Sequence, residues 1–420
     1  MAEPPWLRFL TGLGEPAHVR RGIRLTRILL VSLILLAGQA PRALAHAAEA
    51  ARHGMVVAGE PLAADVGVEI LKAGGNAVDA AVAVGFALAV THPEAGNIGG
   101  GGFMLIRMAG GESVVVDYRE EAPGAASREM YLDGNGEVIP EASTIGGRAV
   151  AVPGTVAGLA LAHRKYGKLR WTRVLLPAIR LARGGFPVSF ALAESLRAEA
   201  ELLARNPESN RIFLRDGNPY EAGDLFQQPQ LASTLARIAK SGPKAFYGGR
   251  VAKALASAVK EHGGLIETSD LKQYKARLRK PVHGTFRGYE ILSAPSPSSG
   301  GIGLIEMLNV LEPLDLGHPN SFQSIHLIAQ TMRRAYADRA TFLGDADFVN
   351  VPAQRLTSSA YAALLREEIA KSKPRDPVRE GKPAGFEAEQ TTHYSVIDRE
   401  GNAVANTYTL NGAYGSGVTV

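Results

Sequence analysis

The stretch EAEQTTHYSVIDREGNAVANTYTLN, Glu387 to Asn411, constrains this chain more than any other. A segment rich in charge, Pro and Gly and poor in β-branched residues, Lys371 to Gln390, reads as a flexible linker. The pattern then becomes a hairpin: Thr391 to Asp398 is a strand, Arg399-Glu400-Gly401-Asn402 a four-residue turn, and Ala403 to Asn411 a second strand. With Asp398 facing Ala403, Thr391 lies opposite Leu410 and beside Thr409. A register one residue away also brings the two hydroxyls together at the open end of the hairpin.

A threonine that starts a strand after a flexible, cleavable linker is what N-terminal nucleophile chemistry requires. A threonine hydroxyl needs an adjacent base at neutral pH, and the α-amine of the same residue, with a pKa of about 7.7–8.0, can serve. That amine exists only if the bond before Thr391 is cut. Spacing alone leaves the plainer reading open, since Thr is enriched in strands.

The sequence carries a formal charge of +5, but residues 1–45 hold six Arg against two Glu and leave the remainder near +1. That balance gives no electrostatic case for nucleic-acid binding. The first 45 residues read as an export signal: Arg20, Arg21, Arg24 and Arg27, then the apolar run Ile28 to Ala37, then Ala43-Leu44-Ala45 as an A-x-A cleavage site. Export to the periplasm or medium is the expectation. The run is shorter than the roughly 20 apolar residues of a spanning helix, although an uncleaved anchor is the other reading. Arg20-Arg21 has only a faint likeness to a twin-arginine signal. The chain has no cysteine, which excludes disulfides, a cysteine nucleophile and thiolate metal sites.

Between these ends the chain reads as a mixture of helices and strands. Helical spacing runs over 62–72, 77–90, 155–166, 171–183, 231–239, 249–262, 303–311 and 324–342, and 103–107 and 113–118 read as paired strands. Thr91 to Gly102 (THPEAGNIGGGG) is a loop of special backbone geometry, with neither the ending of a P-loop nor the spacing of a dinucleotide fingerprint. Ser298-Ser299 lacks the nucleophile-elbow pattern and reads as a tight turn. His92 and Glu94 read as surface or supporting groups, not metal ligands. Asp345 and Asp347 read as turn formers. His393 shares a strand face with Thr391 and reads as packing or support, while Glu120 and Glu121 either support Arg119 or face water.

QTTHYSVIDREGNAVANTYTLN resembles the processing site and small-subunit start of the gamma-glutamyltransferase (gamma-glutamyl transpeptidase) family. GGNAVDAAVAVGFALAVTHPEAGNIGGGGFM, VDYREEAP, AVAVPGTVAGL, LLPAIRLARGGFPV, GPKAFYGG, APSPSSGGIGL and AYADRATFLGDADFVNVP also resemble that family's segments, in its order. The likeness runs from about His53 to the last residue. It implies an α+β fold, a four-layer αββα sandwich of the N-terminal nucleophile hydrolase type, made as a precursor. By the same resemblance residues 46–390 form the large-subunit region and 391–420 the beginning of the small subunit, with cleavage between Gln390 and Thr391.

The resemblance implies that Thr391 is the nucleophile, Thr409 the threonine whose hydroxyl holds it, Arg119 the ligand of the substrate α-carboxylate, and Asn411 a contact of the glutamyl α-amino end. The implied substrate is a small γ-glutamyl compound such as glutathione, and the acceptor is water, an amino acid or a peptide. No metal or organic cofactor and no nucleic acid are implied. A cephalosporin acylase-like or poly-γ-glutamate-acting relative, or a non-catalytic exported protein, are the other readings. Family members continue well past the position of Val420, through an aspartate, paired serines and the glycines of an oxyanion hole. The chain therefore reads as a fragment, expected to be inactive, because each lost oxyanion donor costs roughly 10²–10³ in rate. A hairpin so close to the end is also expected to lack sheet neighbours and to leave apolar edges open.

Overall fold

Two helices of small apolar residues organise the fold: α1, Pro61–Lys72, and α2, Ala77–Thr91. A reciprocal capping box starts α2, with Asn76 Oδ1 accepting from Asp79 N and Asp79 Oδ2 accepting from Asn76 N, each at 3.0 Å. The last carbonyls of α1 are satisfied by Gly74 N to Leu71 O and Gly75 N to Ile70 O, the paired bonds of a Schellman end. Every residue of α2 is buried. A helix that is apolar all round has no solvent face, so it becomes the element on which others pack.

The computed structural model describes residues 50–371 and 391–420, and His53–Val420 forms one compact unit. The basic and apolar start, the linker from residue 372 and Gln390 lie outside the described residues. Among the described residues no helix is long and apolar enough to cross a membrane.

Eight strands matter here: β1 (Gly54–Val57), β2 (Gly101–Arg107), β3 (Ser113–Asp117), β4 (Arg277–Arg279), β5 (Val282–Phe286), β6 (Tyr289–Ser293), β7 (Thr391–Asp398) and β8 (Ala403–Thr409). Six of them form an antiparallel sheet in the order β1-β7-β8-β2-β3-β4. The β7–β8 hairpin is therefore flanked by β1 and β2, which corrects the expectation that it lacks neighbours. Neighbours come from the far end of the chain, and local pattern does not reveal such pairings.

One face of the sheet packs on α2 through Met104, Ile106, Tyr394, Val396, Val404 and Tyr408, all nearly fully buried. Strand alternation sends Thr391, His393, Ser395 and Ile397 to the opposite face. That second face shares a groove of about 470 Å³ with Glu290 and Leu292 of β6. Behind the two-stranded β5–β6 sheet, Gly284 of β5 lies against Ile305 of a helix at Gly300–Leu311. The helices Phe322–Phe342 and Ser359–Lys371 complete this outer side, so the layers run helix, sheet, sheet, helix.

The long helices form within a few residues of the spans expected from apolar spacing. Strand β1, the β5–β6 hairpin and the helix Ser359–Lys371 were not legible as elements. The hairpin register also differs from expectation. Ile397 pairs with Ala403 and Thr391 with Thr409, and the turn has three residues, Arg399-Glu400-Gly401, with Gly401 at φ +87°. Burial of Tyr394 and Tyr408 on one face excludes the expected register, and the side chain of Asp398 closes the observed turn: Oδ1 accepts from Glu400 N at 2.9 Å and Asn402 N at 3.0 Å, while Asp398 N donates to Asn402 O at 3.0 Å. Asn402 thereby joins the ladder instead of the turn.

In the outer helical layer, Glu306 is 2% exposed and hydrogen-bonded to Asp338, which also accepts from Tyr361 Oη at 2.7 Å. Burial, reinforced by the Asp338 charge, pushes the Glu306 carboxyl up to about 8. A carboxyl raised in the folded state contributes stability that is complete below its unfolded value near 4.3 and is lost as pH rises through the folded value. The melting temperature should therefore fall between about pH 5 and pH 9, and Glu306→Gln should flatten that slope in a pH series of thermal melts.

Candidate active site

The alternation of an antiparallel ladder decides how close the two threonines come. Because Asp398 and Asn402 form a hydrogen-bonded pair, the pairs Ile397–Ala403, Ser395–Ala405, His393–Thr407 and Thr391–Thr409 fall at non-hydrogen-bonded positions. There the Cα atoms approach to about 4.5 Å and facing side chains are closest. One such pair shows its contact directly, with His393 Nδ1 2.7 Å from Thr407 Oγ1. Thr391 is exposed at the open end, and Thr409 opposite it accepts a hydrogen bond from Asn411 N at 2.8 Å through Oγ1. Asn411 is exposed and takes the left-handed φ of +78° that lets its backbone turn back onto Thr409.

Both nitrogens of His393 are engaged, since Nε2 lies 3.2 Å from Ser395 Oγ. Burial holds its pKa below the ordinary value, so the ring is neutral near pH 7. This is a supporting position on the open face of the strand. His92, by contrast, belongs to the loop after α2 and lies 3.5 Å from Glu94.

The glycine run supplies the next strand of the site. Gly101 pairs with Thr409, and Gly100 is anchored by its N–H to Asn97 Oδ1 at 2.8 Å and by its carbonyl to Gly154 N at 2.8 Å and Thr155 N at 3.1 Å. A Cβ on Gly100 would lie 2.0 Å from Thr409 O, and one on Gly101 2.4 Å from Glu120 Oε2 and 2.5 Å from Glu120 N. Close backbone approach is therefore what the glycines provide. Through Gly101, the Thr391–Thr409 pair is packed against the turn that carries Arg119.

Arg119 borders a cleft of about 340 Å³ lined also by Asp117, Glu120, Tyr274, Arg279 and Asp347. Its side chain is about half exposed, with Nε 3.7 Å from Glu120 Oε1. Its backbone is held tightly: Arg119 N donates to Asp117 Oδ1 at 3.1 Å, and Tyr274 Oη donates to Arg119 O at 2.8 Å. Asp117 is fixed by Arg279 Nε at 2.6 Å, and Arg279 reaches Asp347 at 2.6 and 3.1 Å. A second guanidinium, that of Arg277, shares Asp347 with Arg279 and also reaches Glu121 at 3.3 Å. Glu120 thus turns to Arg119, and Glu121 does not.

Asp345 is a turn former as expected, accepting from Asp347 N at 3.0 Å, but Asp347 is more than that. The Arg279 bonds hold its carboxyl below the ordinary range. Asp117, Tyr274, Arg277 and Arg279 carry no sequence signal for this role, because their contacts join segments more than 150 residues apart. Ser299 Oγ accepts from Arg339 Nε at 2.9 Å, an anchoring contact at the start of its helix.

The sequence model described as Gamma-glutamyltranspeptidase matches residues 63–420. The chain belongs to this family. Among curated relatives of the gamma-glutamyltranspeptidase family, it is 48% identical over 373 residues to the glutathione hydrolase proenzyme of Escherichia coli strain K12, covering 88% of this chain and 64% of that protein. It is 42% identical to the acylase ACY 1 proenzyme of Pseudomonas sp. strain SE83, covering 87% of this chain and 67% of that one. The chain thus spans about two thirds of the length of these relatives. The crystal structure of Helicobacter pylori gamma-glutamyltranspeptidase superimposes with a TM-score of 0.77 at 42% identity, covering 82% of this chain and all of that one. The fold is the four-layer sandwich of the N-terminal nucleophile hydrolases, as the resemblance implied.

Gly101→Ala should force the Glu120 turn outward and cost about 1–3 kcal/mol by overpacking. Gly99→Ala, whose Cβ meets nothing within 4 Å, should leave the urea midpoint nearly unchanged and serves as its control.

Proposed function

We propose that this chain is the N-terminal nucleophile part of an exported γ-glutamyl hydrolase and transpeptidase acting on glutathione and related γ-glutamyl compounds. The observation that carries the reading is the direct pairing of Thr391 with Thr409 at a close-approach position, one strand away from the Gly101–Glu120 contact. Family membership and the names of the relatives support it, as does the basic, apolar and A-x-A order of residues 1–45 for export.

In the first step Thr391 Oγ1 attacks the carbonyl carbon of Gln390. The acyl group moves from nitrogen to Oγ1, so the amide C–N bond breaks as the ester forms and the Thr391 α-amine is freed; water then hydrolyses the ester, releasing the Gln390 carboxylate and restoring the Thr391 hydroxyl. That amine, with a pKa of about 7.7–8.0, accepts the hydroxyl proton when Thr391 Oγ1 attacks the γ-carbonyl of the substrate. The leaving amine takes the proton, and a γ-glutamyl ester on Thr391 remains. Water or the amine of an amino acid or peptide resolves it. Thr409 Oγ1 accepts from Asn411 N, so the Thr409 hydroxyl proton is the one suited to donate to Thr391 Oγ1 and orient it.

Arg119 suits the α-carboxylate, because a guanidinium forms two parallel charge-assisted bonds to such a group. Its pinned backbone and half-exposed side chain favour a role in binding over one in packing. Asn411, exposed just beyond Thr409, is suited to the α-amino end. The same arginine favours an amino acid substrate over the side chain of a β-lactam.

The protein from its native source should yield two polypeptides by mass spectrometry, one beginning at Thr391, and should hydrolyse a γ-glutamyl anilide. Thr391→Ala should abolish both cleavage and turnover, and unchanged turnover in that variant would refute the mechanism. Arg119→Ala should leave cleavage intact and raise KM about 10- to 100-fold, the loss of a charge-assisted contact worth about 1.5–3 kcal/mol.

A further inference from the structure

We infer that Asp398 is a positioning residue: from the closed end of the β7–β8 hairpin it sets the register that brings Thr391 opposite Thr409. Its consequence for catalysis rests on the reading of Thr391 as nucleophile, whereas the register role stands on contacts alone. The carboxylate is 7% exposed as a residue and accepts from four donors. Oδ1 takes Glu400 N at 2.9 Å and Asn402 N at 3.0 Å, and Oδ2 takes Asn402 Nδ2 at 2.7 Å and Ala77 N at 2.9 Å.

These donors belong to different parts of the fold. Ala77 N is one of the unpaired donors at the N-terminus of α2, the buried helix under the sheet, so a carboxylate from the hairpin caps a helix 321 residues earlier in the chain. Asn402, held by the same carboxylate, accepts from Ala109 N at 2.9 Å through Oδ1 and so ties the hairpin to the turn between β2 and β3. The turn end of the hairpin is thereby fixed both to the helix beneath it and to a neighbouring turn. Strand residues are rigidly spaced, so the offset fixed at Asp398 is transmitted along the ladder to Thr391.

Apolar alternation excludes a one-residue slip, but a two-residue slip also keeps Tyr394 and Tyr408 buried, so alternation alone does not specify the pairing. It leaves open whether Asn402 pairs in the ladder or sits in a longer turn. The chemistry of the turn makes that choice. A carboxylate has enough lone pairs for all four donors, whereas the single oxygen of an amide serves two. Asp398→Asn therefore keeps the shape and leaves donors unsatisfied, and Asp398→Ala removes the acceptor altogether.

The test uses the full chain, whose lack of native cysteine leaves no background for cross-linking. Ser395→Cys with Ala405→Cys places two thiols at a close-approach pair, which should oxidise readily to a disulfide. Adding Asp398→Ala should slow that oxidation at least tenfold. The pair Ser395→Cys with Thr407→Cys, diagonal and two residues out of register in the native ladder, should gain cross-linking in the Asp398→Ala background and overtake the first pair. A hairpin that is merely loosened slows the first pair without that reversal.

Unchanged oxidation of the first pair, or its loss without a gain in the second, would overturn the register role. If Asp398→Ala does not fold, Asp398→Asn is read in the same way, with a smaller expected shift of about threefold to tenfold. Cleavage between Gln390 and Thr391 should slow at least tenfold in parallel. If the parent chain and Thr391→Ala are both uncut, the nucleophile reading fails, and the cross-linking still decides the register.

Discussion

The period-two alternation of the β7–β8 hairpin is the constraint on which the rest of the structure depends. Side chains of β7 and β8 alternate between the α2 face, where Tyr394, Val396, Val404 and Tyr408 are buried, and the open face, where Thr391, His393 and Ser395 stand. A one-residue shift of either strand relative to its neighbours would bury hydroxyl and imidazole groups and expose tyrosines. Burying such polar groups without partners costs roughly 2–7 kcal/mol each by transfer scales. The apolar face thus supplies the energy that holds a polar face in one arrangement. The nucleophile candidate is positioned by residues that never touch it.

The other half of the site is held by charge. The Arg119 turn is braced by Asp117, Arg279 and Asp347, of which Arg279 and Asp117 are mostly shielded, with side-chain exposures of 16% and 7%. Removing either partner would leave the other charge poorly solvated, a far larger penalty than loss of a surface pair. The contact between Arg119 and Glu120, longer and half exposed, belongs to the weak class that contributes about 0–1 kcal/mol. The backbone that carries Arg119 is thus firmly held, while its guanidinium has only a weak, partly exposed partner.

Two kinds of packing meet at the glycine run. The backbone of Gly100 and Gly101 approaches both Thr409 and Glu120 so closely that no side chain fits between. In sequence these residues are only a composition, and composition pointed to special geometry without saying what approaches. The structure supplies the neighbours, one from the hairpin and one from the arginine turn. A local motif therefore becomes the joint between two parts of the candidate site.

Local physics made much of this protein legible. The all-apolar run from Ala77 with Asn76 as its cap, the Gly74-Gly75 helix end and the linker-then-strand pattern at Thr391 are set by periodicity and capping, which depend on residues within a few positions. The approach of Thr391 to Thr409 was legible for the same reason, since alternation follows from covalent geometry. The pairing itself was not. It turns on whether Asp398 recruits Asn402 into the ladder, a competition among side-chain and backbone hydrogen bonds that also involves Ala77 and Ala109. Strand β1, only four residues long, became a strand because β7 offered it an edge. Sequence by itself determined the elements and the faces they show. Tertiary structure decided the register, the sheet neighbours and the brace around Arg119, because each rests on contacts between residues far apart in the chain.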